Sequence, residues 1–283
     1  MKIIVILFFS MLLALPTYGQ NRETDYLSHV LEKMNAVESV TYHCVKKAWE
    51  PGDKEPVYSV PREIYEHVNP QDTAVGYSFL CASDKEFRQP LWVYDGTVFA
   101  YIEKEEKEVR IDDFTQKSPL PFRVIMPQAF GCMKSILEYV LNTQDSIVLS
   151  LKDEGKDYLM ELSIHTPYQV EFFGKACYMP QNPYIYDPTS IYKIWISKEN
   201  DMPYRYRREM QHSISEGICS DFVYNPSGKG KIVAEDYYPA DYVRRIKGEK
   251  SQKATVDMTG KKAPGWTLTD MKGQKVSLSG IKS

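Results

Sequence analysis

Cysteine is scarce and scattered in this 283-residue chain: Cys44, Cys81, Cys132, Cys177 and Cys219, with no two at Cys-x-x-Cys spacing. That absence removes a zinc knuckle and a thioredoxin-type redox pair from consideration. Isolated positions of this kind read as small structural thiols buried in strands rather than as a disulfide framework. A Gly-x-Ser-x-Gly elbow is lacking, which excludes the usual serine-hydrolase signature. There is no His-Glu-x-x-His, and His29, His43, His67, His165 and His212 are spread without metal-ligand spacing. Neither sign of charge dominates, with 35 Lys and Arg against 38 Asp and Glu and a net charge of −3. Nothing in that balance points to nucleic acid or a membrane surface. No catalytic, cofactor-binding or metal-ligating residue is assigned, and no cofactor is expected.

Long apolar runs are also lacking, apart from Ile3–Leu15. That run is too short for a membrane span, which needs roughly 20 residues. Lys2 before it and Pro16-Thr17-Tyr18-Gly19 after it give the layout of a secretory leader over residues 1–19, cleaved after Gly19. No Cys lies near the junction to carry a lipid. The mature chain is expected to be exported, periplasmic or secreted, without a membrane span.

Aromatic residues are plentiful at 13%, led by 21 Tyr, which favours a β-rich protein. Thr24–Val37 carries a helical stripe of Tyr26, Leu27, Val30, Leu31, Met34 and Val37. Cys132–Leu141 gives a second helix, with Met133, Ile136, Leu137, Val140 and Leu141 on one face. Alternation predicts strands at 40–49, 63–68, 75–82, 91–94, 97–102 and 109–114, then at 146–152, 158–165, 169–173, 190–197, 204–212 and 217–224. Asp95-Gly96 demands a tight hairpin, since Gly tolerates the positive φ of such a turn. The expected fold is mainly β: a curved antiparallel sheet, or incomplete barrel, of about ten strands wrapping two helices. The absence of βαβ alternation disfavours a parallel sheet. The domain is placed at 20–246, a polar linker at 247–257, and a further segment at 258–283.

Several polar groups invite a chemical reading and receive a plainer one. His43 and Cys44 are neighbours on a strand and so point to opposite faces. Glu103, Glu105, Glu106 and Glu108 alternate with Lys104 and Lys107, as at a solvated hairpin tip. Arg205, Arg207 and Arg208 are expected to lie on a solvated sheet face, salt-bridged to acids. Gly228-Lys-Gly-Lys231 lacks the spacing of a phosphate loop and reads as a turn. Asp112-Asp113 has no partner acid at a telling distance in sequence.

Two stretches resemble known families. In 258–283, Gly260, Ala263-Pro264, Trp266, Leu268, the turn Asp270–Gly273, then Val276 and Leu278 form a hairpin pattern with one apolar face. It resembles the opening of the redoxin branch of the thioredoxin superfamily, the TlpA-like thiol-disulfide reductases and thiol-specific antioxidant proteins. The resemblance implies a Cys-x-x-Cys domain that is missing from this chain, a truncation of the gene product or the gene model. Upstream, Tyr94-Asp95-Gly96, the run Trp195–Arg205 and Asp236–Tyr242 resemble steps of the LolA/LolB-like lipoprotein carriers. That implies an incomplete barrel with helices as a lid. The leading expectation is an exported binding or scaffold module of a thioredoxin-like oxidoreductase, without reductase activity of its own. The alternative is a periplasmic carrier of a lipid, lipoprotein or other apolar ligand. Partners implied are an acyl chain or a periplasmic protein.

Overall fold

The computed structural model describes residues 18–249 and 265–277. The predicted leader lies outside the described residues up to Thr17, and its cleavage point after Gly19 falls in the first turn of α1 (Tyr18–Asn35). Among the described residues no helix is long and apolar enough to cross a membrane. The chain divides into two compact units, Met1–Gly248 and Glu249–Ser283.

The first unit is mainly β. Six strands follow α1: β1 (Ser39–Trp49), β2 (Tyr58–Val68), β3 (Tyr77–Ala82), β4 (Pro90–Tyr94), β5 (Phe99–Glu103) and β6 (Glu108–Asp112). After α2 (Ala129–Asn142) come β7 (Ile147–Asp153), β8 (Asp157–Ile164), β9 (Val170–Phe172), β10 (Ala176–Tyr178), β11 (Ser190–Ser197), β12 (Met202–Met210), β13 (Ser213–Tyr224) and β14 (Val243–Ile246). Twelve of these strands form one open, curved sheet in the order β14-β6-β5-β4-β3-β2-β1-β13-β12-β11-β8-β7. The seam β1–β13 joins the first meander to the last, which makes the sheet continuous.

All pairings in this sheet are antiparallel except β14, which lies parallel to β6. That exception was invisible in the sequence, because Val243–Ile246 is short and half basic. It is held by Lys247 Nζ to Asp112 Oδ2 at 2.6 Å and by an Arg245–Glu108 ion pair. The pair β9–β10 forms separately and leads into the loop before β11.

The sheet has two unlike faces. Tyr42, Cys44, Ile64 and Cys81 point inward beneath the helices, together with Met160, Leu162, Tyr192, Ile194 and Tyr206. Leu27, Val30 and Met34 of α1 and Met133, Ile136 and Leu137 of α2 fill the concave side and are wholly buried. Each such side chain contributes roughly 1.5–3 kcal/mol by leaving water. On the outer face Tyr65, Leu80, Val93, Ala100 and Val109 are covered by the returning segment through Ile232 and Ala234. Asp95 ties that segment down, its Oδ2 accepting the Ala234 amide at 3.1 Å. The same carboxylate shapes the β4–β5 hairpin by accepting the Thr97 and Val98 amides, with Gly96 at φ 94°.

The position of α2 depends on a side chain sixty-odd residues away. Glu66, fully buried on β2, accepts the amides of Phe130 (2.9 Å) and Gly131 (3.0 Å), two otherwise orphaned donors of the first turn. Tyr42 donates its hydroxyl to the same carboxylate. Gly131 is needed at this contact, since a Cβ there would lie 2.8 Å from Glu66 Oε2. The helix therefore starts at Ala129, three residues before the apolar stripe suggested. Burial raises the Glu66 pKa from its ordinary 4.5 to about 7, against the hydrogen bonds from Tyr42, Gly131 and Phe130, which lower it.

A carboxyl that keeps its proton in the folded state up to about pH 7, but loses it near 4.5 when unfolded, favours folding at low pH. That contribution is fully present below pH 4.5 and is lost as pH rises through 7, a change on the order of 3 kcal/mol. Urea unfolding of wild type and Glu66→Gln at several pH values checks it. The wild type should lose stability relative to the variant between pH 4.5 and 7, whereas parallel curves would contradict this assignment.

Candidate functional site

Polar groups weighed from the sequence fall into place as structural elements. His43 Nδ1 lies 2.7 Å from Glu63 Oε1 on the outer face, while Cys44 turns inward, so the two share no site. Lys104–Lys107 is an exposed tip, with Lys107 paired to Asp241 at 2.9 Å. Gly228–Lys231 is a turn, and the Gly230 carbonyl accepts the Tyr65 hydroxyl at 2.6 Å. Asp112 pairs with Lys247, and Asp113 closes its own turn through Thr115. Among the described residues no group of three or more His, Cys, Asp and Glu is placed to hold a metal ion.

The basic run on β12 divides between the two faces. Arg205 donates to Glu216 Oε1 at 2.6 Å and lies 4.0 Å over the Trp195 ring. Arg207 donates to Glu209 at 2.6 Å and lies 4.6 Å over Trp49. Both match a salt-bridged outer face. Arg208 does not: it points under α2 and grips buried Glu171 with two bonds of 2.8 and 2.6 Å. Alternation along β12 requires this, because Arg207 and Arg208 are consecutive.

One cluster was missed by sequence reasoning. Along β2–β6 the concave face runs through Ile64, Cys81, Trp92, Tyr101 and Arg110, each opposite the next. The helices cover Ile64 and Cys81, and the segment 114–127 covers Phe79 and Tyr94 through Phe114 and Ile125. Between these covers, Trp92 and Tyr101 stay partly exposed and stack at 6.0 Å with planes 5° apart. A register shift beside Ala82 places both Leu91 and Trp92 toward the main core.

Two cations stand beside this platform. Lys46 Nζ lies 5.8 Å and Arg62 Cζ 5.5 Å from the centre of the Trp92 ring. Cys44 faces Arg62 and Lys46 faces Val60, so the two cations occupy diagonal positions on adjacent strands. Neither forms an ion pair among the described residues. Lys46 donates to Gln128 Oε1 at 2.6 Å, and Arg62 Nη1 donates to the Pro61 carbonyl at 2.8 Å. Arg62 Nε is buried without an acceptor, an uncommon condition for a buried donor. Two half-buried like charges, an orphaned donor and a stacked aromatic pair suit an anionic group carried on an apolar body. The sequence signal was present only as period-two alternation on β1 and β2. Pairing the strands was needed to bring Lys46, Arg62 and Trp92 together.

Two surface clefts are chemically different. One of about 440 Å³ is lined by Tyr168, Gln169, Pro180, Asn182, Tyr186 and neighbours in the 177–188 loop. Another of about 520 Å³ lies among Lys156, Lys198, Glu199, Tyr204 and Tyr224. Both are open and carry no concentration of unpaired charge comparable to Lys46 and Arg62.

The second unit contains the predicted hairpin, β15 (Thr267–Thr269) and β16 (Lys275–Ser277), in register Leu268 opposite Val276. Asp270 Oδ1 accepts the Lys272 and Gln274 amides at 2.9 and 2.8 Å, and Gly273 takes φ 80°. Trp266, Leu268 and Val276 are exposed. Residues 258–264 and 278, the rest of the redoxin-like pattern, lie outside the described residues.

No family model matches the sequence, and no curated protein matches it. Solved structures with loosely similar backbones include LprF from Mycobacterium bovis, at 10% identity and TM-score 0.37, covering 74% of this chain and 98% of that one. The lipoprotein LppX from Mycobacterium tuberculosis gives 8% and 0.37, over 74% and 99%. A LolA superfamily protein from Nitrosomonas europaea gives 11% and 0.28, over 77% and 99%. At such identity no residue role is carried from them to this chain.

The Arg208–Glu171 pair has a consequence for stability. Replacing Glu171 by Gln strands a guanidinium whose Nε already lacks an acceptor, and should cost about 3–5 kcal/mol. A Glu171→Leu/Arg208→Met double variant should recover most of that loss. Urea midpoints of the three proteins measure this, and equal losses in single and double variants would refute it.

Proposed function

We propose that the β-unit is a non-catalytic binding module for an amphipathic anion, an acyl chain or similar apolar body ending in a carboxylate or phosphate. Lys46 and Arg62 take the anionic head, and the Trp92–Tyr101 stack carries the body beside it. The observation that carries this reading is the diagonal pair of cations, neither in an ion pair among the described residues, against a part-exposed aromatic stack. Of the two roles the sequence suggested, this favours the carrier. It also moves the ligand: the space between helices and sheet is filled by Leu27, Met34, Met133 and Leu137, so the ligand lies at the edge of the helical cover.

Titration with dodecanoate followed calorimetrically tests the proposal. A hydrogen bond to a charged group is worth about 1.5–3 kcal/mol, so Lys46→Met/Arg62→Met should weaken binding at least tenfold. Trp92→Ala should weaken it also, and added salt should weaken wild type more than the double variant. Unchanged affinity in the double variant would rule the site out.

A second reading has its own observation. The hairpin Thr267–Ser277 forms with its apolar residues exposed, as the first hairpin of a thioredoxin-like domain would present them to further strands. In that reading the β-unit serves a thiol-disulfide oxidoreductase. The five cysteines of this chain are buried and far from Cys-x-x-Cys spacing. The purified 283-residue chain is therefore expected not to reduce insulin. Turnover at catalytic rates, lost on alkylation, would show that one of these thiols is a working nucleophile.

A further inference from the structure

The five thiols are not equivalently placed. Cys44 on β1 and Cys219 on β13 are direct cross-strand partners at the seam that closes the sheet. Directly opposed residues of an antiparallel pair have Cα atoms about 4.5–5.5 Å apart and side chains on one face. That separation falls inside the window a disulfide requires, about 4.4–6.8 Å. The two thiols act on each other's protonation, which places them side by side.

We propose that Cys44 and Cys219 form a cross-strand disulfide when the chain folds in an oxidising medium, cross-linking the seam between the two meanders. The oxidant is a disulfide, either a small molecule or a protein. The Cys44 thiolate attacks one sulfur of it, breaking that bond, forming a mixed disulfide and releasing the first oxidant thiolate. Cys219, deprotonated, then attacks Cys44 Sγ and releases the second. Two cysteine thiols are oxidised, one disulfide is reduced to two thiols, and the two protons pass to the released thiolates.

The surroundings favour Cys44 as the first attacking thiol, and the register of β1 and β13 selects Cys219 as its partner. A hydrogen bond from Cys219 lowers the Cys44 pKa, with Lys46 acting the same way against the effect of burial. Burial pushes Cys219 well up, Cys81 and Cys132 up to about 12 and Cys177 upward as well, so Cys44 alone of the five is held below its ordinary value. Because Cys44 and Cys219 are themselves buried once folded, the bond must form before the helices settle on the concave face. Oxidant added to folded protein should react far more slowly.

The experiment is refolding of reduced wild-type protein from urea in a mixture of reduced and oxidised glutathione, followed by alkylation in denaturant and peptide mapping. The expected result is a mass loss of two hydrogens, a single linkage joining the Cys44 and Cys219 peptides, and three alkylated cysteines. The oxidised protein should show a higher urea midpoint than the reduced one, a difference absent from Cys44→Ala. Recovery of folded protein with five free thiols, or with any other pairing, would overturn the proposal. Since the decisive reading comes from wild-type protein, a variant that fails to fold leaves the test intact.

Discussion

The Glu66 carboxylate receives the first amides of α2 and the Tyr42 hydroxyl in a setting without solvent, and most of the concave face is arranged by that contact. A helix end buried without acceptors would leave donors unpaired, each costing about 1–3 kcal/mol. With Glu66 in place, α2 can lie deep against β12 and β13, and its Met133, Ile136 and Leu137 complete the core. The same contact fixes Gln128, the residue before the helix, whose side chain accepts from Lys46. A structural cap and the candidate binding site therefore share one edge.

That edge explains why the site is open. α1 and α2 cover the sheet from β7 to β2, and the segment 114–127 covers the concave side of β3 to β5 nearer the Phe79 and Tyr94 end. Arg123 anchors that segment by donating to the Gly96 carbonyl and the Tyr94 hydroxyl, at 2.7 and 3.1 Å. Trp92, Tyr101, Lys46 and Arg62 lie at the margin of both covers and stay partly exposed. On the outer face, the two arginine rungs of β12 are neutralised, Arg205 and Arg207 both by Glu216 and Arg207 by Glu209 as well. Among the described residues Lys46 and Arg62 form no ion pair, and both stand over the one Trp92 ring.

Periodicity made the elements legible but not their partners. The strands at 190–197 and 40–49 were placed to within a residue, since period-two alternation is a local property. The Asp270–Gly273 hairpin was legible for the same reason: its turn chemistry is contained in its own residues. The early start of α2, the parallel β14 and the acid that meets Arg208 were not legible. Each depends on a partner far along the chain, respectively Glu66, β6 and Glu171. The binding patch belongs with these, because Lys46, Arg62 and Trp92 acquire meaning only through the pairing of β1 to β2 and β3 to β4.

The central claim is that an amphipathic anion binds on the concave face beside α2, not inside the core or in a peripheral cleft. A crystal structure of the protein grown with dodecanoate tests it most directly. The account predicts the carboxylate within hydrogen-bonding distance of Lys46 Nζ and the Arg62 guanidinium, with the chain along Trp92 and Tyr101. Dodecanoate seated instead between the helices and the sheet, in the Tyr168–Tyr186 cleft, or nowhere on the β-unit would contradict it.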